Sequence, residues 1–105
     1  MATKLTLDVA PLFNLPFSDV VMARVLAAST AENIAVPDGA KYVLFSADGG
    51  FYAKVNGTAV IPAGDVTDGS APILNPTMRT CAGVTNISVI ASATRIVTAA
   101  FYIWP

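Results

Sequence analysis

The clearest pattern of apolar and polar positions closes the chain. From Arg95 to Trp104, Val97, Ala99, Phe101 and Ile103 fall on one face, while Ile96, Tyr102 and Trp104 leave the other face partly apolar. That two-residue period is the signature of a β-strand. Asn86 to Ser92 alternates in the same way and predicts Ile87, Val89 and Ala91 facing inward, with Asn86, Ser88 and Ser92 facing outward. In the middle of the chain, Lys41 to Ile61 reads as a three-stranded antiparallel meander. Asp48-Gly49-Gly50 and Asn56-Gly57 separate its strands, and Asn-Gly favours the positive φ angles that tight hairpins need. Phe51, Ala53 and Val55 then share one face, and Tyr52, Lys54 and Asn56 the other. Tyr42 to Phe45 is apolar on both faces, as in a central strand.

The remaining segments are shorter. Met1 to Leu7 is a brief alternating run with Leu5 and Leu7 on one face. Val20 to Ala28 mixes helix-favouring Met, Ala, Arg and Leu with strand-favouring Val and is read as a strand. Asn33 to Pro37 is extended, because the residue before a proline is pushed out of the α region. Thr77 to Ala82 predicts a strand ended by Gly83. Between the meander and that strand, Pro62 to Pro76 is rich in Pro, Gly and Asp, a long connection of the kind that crosses between sheets. Short strands at intervals of about ten residues, with Gly and Pro turns between them, predict an all-β fold, a two-sheet antiparallel β-sandwich of jelly-roll-like form.

Residues 1–19 stand apart as an N-terminal apolar arm, and residues 20–105 form the single sandwich domain. Pro11 and Pro16 bracket Leu12, Phe13 and Leu15, with Phe17 following. Two prolines so close together deny the segment a regular ladder or a helix interior. It either folds over its own core or packs on a neighbouring subunit. With the second face of the last strand, the arm makes Leu12, Phe13, Leu15, Phe17, Ile96, Tyr102 and Trp104 the expected protein interface. A strand without charge beyond Arg95 would be an aggregation hazard as a free edge, and a neighbour would cover it.

Composition strengthens that expectation. Of the 105 residues 54% are hydrophobic and 12% charged, against about a quarter charged in an ordinary soluble domain. A domain this small has a high ratio of surface to volume, so much of its apolar excess lies near the surface, where it marks contact with other proteins. A homo-oligomer or a subunit of a larger assembly is expected. Net charge is −1 and the six cations are scattered, which argues against nucleic acid as a partner. No apolar run is long enough for a membrane-spanning helix, and Asp8 and Pro11 interrupt any signal-peptide-like stretch.

Candidate chemistry is sparse. There is no histidine, which removes the usual general base and the commonest metal ligand together. The single cysteine, Cys81, lies in a strand-like run and reads as a buried thiol. The aspartates near glycine read as turn formers. Asp65 and Asp68 in GDVTDG offer oxygens to a cation but lack the spacing of an EF-hand loop. No catalytic, cofactor-binding or metal residues are assigned, no cofactor is expected and the chain is not read as an enzyme.

The stretch VPDGAKYVLFSADGGFYAKVNGTAVIPAGDVTDGSAPILNP (Val36 to Pro76), with the late NISVIAS and the terminal AAFYIW, resembles a group of small β-sandwich virion proteins of tailed bacteriophages. The features that carry the likeness are the Val36-Pro37-Asp38-Gly39-Ala40 lead into a strand ending at Phe45-Ser46-Ala47, the Phe51-Tyr52 hairpin partner, and the Asp65-Val66-Thr67-Asp68-Gly69 connection. The resemblance implies a capsid decoration or cement protein on the virion surface, bound to itself and to a major capsid protein, or else a tail component. The competing reading is a carbohydrate- or host-binding module, for which Tyr42, Tyr52, Tyr102 and Trp104 would supply the aromatic platform.

Overall fold

The structure, a computed structural model, describes residues 3–4 and 16–103. Among these residues the chain forms nine strands and no helix: β1 (Thr3–Lys4), β2 (Val21–Leu26), β3 (Glu32–Ala35), β4 (Tyr42–Ala47), β5 (Tyr52–Lys54), β6 (Ile73–Leu74), β7 (Met78–Thr80), β8 (Asn86–Ile90) and β9 (Arg95–Ile103). They make two sheets. In the first, β9 is flanked by β4 on one side and by β2 and β1 on the other, and β7 lies outside β4; the second runs β3-β8-β5-β6. Only the short β1·β9 pair is parallel.

The pairings nest. β2 pairs with β9, β3 with β8, β4 with β7 and β5 with β6, all antiparallel. The chain thus behaves as one long hairpin whose halves, β2 to β5 and β6 to β9, lie side by side. Rolling it up brings β4 against β9 and β5 against β8, which closes two Greek keys into a jelly-roll sandwich. The expected fold class holds.

The core lies between the sheets. Leu26, Val43, Phe45, Val97, Ala99 and Phe101 enter it from the first sheet, and Ile34, Phe51, Ala53, Ile87 and Val89 from the second. Phe45 and Phe51 meet across it with ring centroids 5.8 Å apart and planes tilted by 53°, an arrangement that favours the aromatic quadrupoles. At one corner Arg24 of β2 forms an ion pair with Glu32 of β3 and so ties one sheet to the other. Both side chains remain more than a third exposed, so the pair contributes under about 1 kcal/mol.

The meander does not form. β4 and β5 belong to different sheets, and the Asp48-Gly49-Gly50 segment is an arch between them. Each end of the arch is fastened to its own sheet. Asp48 donates its N–H to Ile96 O (3.2 Å) and accepts from Ile96 N at its carboxylate (3.0 Å). Phe51 is held by Asn75, whose N–H donates to Phe51 O (2.8 Å) and whose side-chain oxygen accepts from Phe51 N (3.0 Å). Gly49 serves close approach here, since a Cβ on it would lie 2.0 Å from Arg95 Nε. Asn56-Gly57 makes no positive-φ turn, and no strand follows it before Ile73.

Residues 55–72 instead form a strap over the outer face of the second sheet. Ala59 is buried there, and its N–H donates to Ser88 Oγ at 2.8 Å. Ser88 therefore points outward from its sheet, as its alternation predicts, yet is buried. Val55 does not join Phe51 and Ala53 in the core, because β5 ends at Lys54 and leaves it exposed.

Candidate functional site: an uncharged sheet face

The outer face of the first sheet follows from the register. Val21, Ala23 and Val25 of β2 lie beside Ala100, Thr98 and Ile96 of β9. On the other side of β9, Thr98 pairs with Ser46 and Ala100 with Leu44 of β4, and Tyr42 and Leu44 in turn pair with Thr80 and Met78 of β7. Because side chains alternate along each strand, all of these residues project to one face, and none is charged. Val21 is 54% exposed, Val25 65% and Ile96 47%. β-Branched residues favour the strand conformation, which is why the sequence extends here.

The charges lie elsewhere. Register places every arginine on the opposite, inward face: Arg24 opposite Val97, Arg95 opposite Leu26, and Arg79 opposite Val43. All three stand at the periphery of the sandwich. Charged side chains turned inward at strand edges discourage edge-to-edge pairing.

The expected interface residues are dispersed. Ile96 is part of the exposed face. Tyr102 points to the same side of β9 but is only 2% exposed, with its hydroxyl donating to Pro16 O of the same chain at 2.7 Å; burial also pushes its pKa up. Phe17 is fully exposed at the approach to β2. Leu12, Phe13, Leu15 and Trp104 lie outside the described residues. Where the arm is described, it returns to its own sheet: Thr3–Lys4 pairs with β9, and Ser18 Oγ donates to Phe101 O at 2.6 Å. Val21 and Val25 could have been found from the sequence by asking which face of the Val20 to Ala28 run carries Arg24, since the other has no charge.

The aromatic platform assembles only in part among the described residues. Tyr42 and Tyr102 are cross-strand partners on the outer face of the first sheet, but Tyr102 is buried, and Tyr52 lies on the outer face of the second sheet. Nor do three His, Cys, Asp or Glu side chains gather anywhere among them as a metal site would require. Asp68 is engaged locally: Ser70 Oγ (2.6 Å) and Ser70 N (3.1 Å) both donate to its carboxylate, and these bonds, the hydroxyl's first, hold its pKa below the usual value. Cys81 is buried, and desolvation pushes its thiol pKa up, opposite to the shift that activates a nucleophile.

In comparisons with known proteins, no protein-family model, no curated protein and no solved structure matches this chain.

Proposed function

We propose that this chain is a structural protein of a tailed-bacteriophage virion, a capsid decoration protein that acts through contact with copies of itself and with the major capsid protein. The observation that carries the reading is the uncharged, half-exposed outer face of the β2-β9-β4-β7 sheet. Desolvating that face strands no charge, and apolar area removed from water contributes roughly 25 cal/mol per Å² before the costs of association. Resemblance of the Val36 to Pro76 stretch to small virion β-sandwiches supplies the setting. Tyr52 lies on the other sheet from the paired Tyr42 and Tyr102, and Tyr102 is buried, which favours protein contact over a sugar platform.

The test is co-sedimentation of the purified protein with capsids assembled from the major head protein of the same genome. Saturable retention is expected, and it should be lost when Val25 and Ile96 are both replaced by lysine with the fold intact. Absence of retention, or retention unchanged by the double substitution, would overturn the assignment.

A further inference from the structure

The two sheets part along the β6/β7 edge. β6 and β7 are only two and three residues long, and Ile73, which shares the inward face with Ala53, is nonetheless 50% exposed. An opening of about 150 Å³ leads from this edge to the core side chains Val43, Phe45 and Ile87. That is on the order of the apolar cavity volume that accommodates benzene. Ala53 and Ala71 at its wall are too small to fill it. Arg79 stands at its mouth, turned to the inward face opposite Val43. Its guanidinium donates to the carbonyl of Met78 next to it (2.8 Å) and has no carboxylate partner among the described residues.

From this juxtaposition of an apolar slot and an uncompensated guanidinium we infer that the β6/β7 edge is a binding site for a small aromatic or branched aliphatic carboxylate. The hydrocarbon enters against Val43, Phe45 and Ile87, and the carboxylate remains at the rim on Arg79. Guanidinium matches carboxylate geometry in a bidentate fork, and apolar pockets with a few placed polar groups are the usual form of small-molecule sites. Lys54, also at the rim, donates to Ser70 O at 2.7 Å and adds positive charge there, while the planar fork of Arg79 orients the carboxylate. An edge-blocking role for Arg79 alone would need the charge but not the slot. This site is on a different surface from the assembly face and stands or falls separately from it.

Benzoate, toluene and benzylamine distinguish the possibilities, with binding followed through the methyl resonances of Ala53, Val43 and Ile87 and by calorimetry. Benzoate is expected to shift these methyls saturably and to bind more tightly than benzylamine. Arg79→Gln, at an exposed edge position, is expected to weaken benzoate about tenfold, the equivalent of one charge-assisted contact, and to leave toluene unchanged. Ala71→Phe, at the exposed rim, is expected to abolish both without touching the core. Absence of saturable shifts, equal affinity for benzoate and benzylamine, or an Arg79→Gln variant that binds benzoate like the parent would overturn the inference.

Discussion

Phe101 is fully buried in the C-terminal half of β9, in the core between the two sheets. Replacing it by alanine removes both its transfer free energy and its packing, and should destabilise the fold by about 3–5 kcal/mol, a large part of a small domain's stability. Urea unfolding checks this; a shift of the midpoint by only a few tenths of a molar would mean that β9 presents its other face. Such positions were legible because a two-residue period leaves little choice once Val97, Ala99, Phe101 and Ile103 align. Residues defined by long-range contact were not. Nothing around Asn75 announces that it holds Phe51 from 24 positions away, with φ of +49°. Cys81 was legible as a buried thiol, and the sign of its pKa shift gives a pH prediction. The folded state keeps the proton that the unfolded chain gives up, so this group's effect is absent well below about pH 8.5 and stability falls as pH rises through and beyond that value. Thiol labelling should accordingly be slow in the native protein and fast in urea; rapid native labelling would place Cys81 at the surface.

At the scale of elements, the connections changed most between sequence and structure. The strand runs flanking Asp48-Gly49-Gly50 suit a hairpin and an arch equally well, since turn residues specify a local reversal but not the strand to be paired afterwards. What decides is burial: Phe45 and Phe51 both seek the core, and an arch places them on facing sheets where a hairpin would place them side by side. Similarly, the strap of residues 55–72 is invisible to alternation, which marks Ser88 as solvent-facing. Its hydroxyl accepts the N–H of Ala59, and both groups are buried. Ser88→Ala leaves that N–H without a partner and should cost about 1–3 kcal/mol. Hydrogen exchange at Ala59 should accelerate more than at β8 amides; uniform acceleration across the domain would show that the strap is not separately fastened. The pH dependence of the strap's turn at Asp68 has the opposite sign to that of Cys81. Its carboxylate pKa is lowered, so the contribution is present above about pH 4 and lost as pH falls through the lower folded value. A ¹³C titration of the carboxyl is expected to show this lowered midpoint, and a midpoint at or above the unperturbed value would contradict the Ser70 bonds.

For the whole molecule, the relevant feature is where its few charges are absent. A chain that is only 12% charged has to distribute apolar side chains outside its core; Val21, Val25 and Ile96 lie together on one sheet face, Val55, Val60, Val66, Ile73 and Leu74 on the strap and β6, and the arginines rim the sandwich. Composition made an apolar surface predictable, but its location required the register of four strands, which no local stretch encodes. The central claim is that this face is the assembly surface, and sedimentation velocity over a range of concentrations tests it most directly, with the parent protein compared with the Val25→Lys, Ile96→Lys double variant. The account predicts a concentration-dependent oligomer for the parent and a monomer with an unchanged β-rich spectrum for the variant. A parent protein that stays monomeric at every concentration and does not bind capsids, or a variant that associates as the parent does, would contradict it.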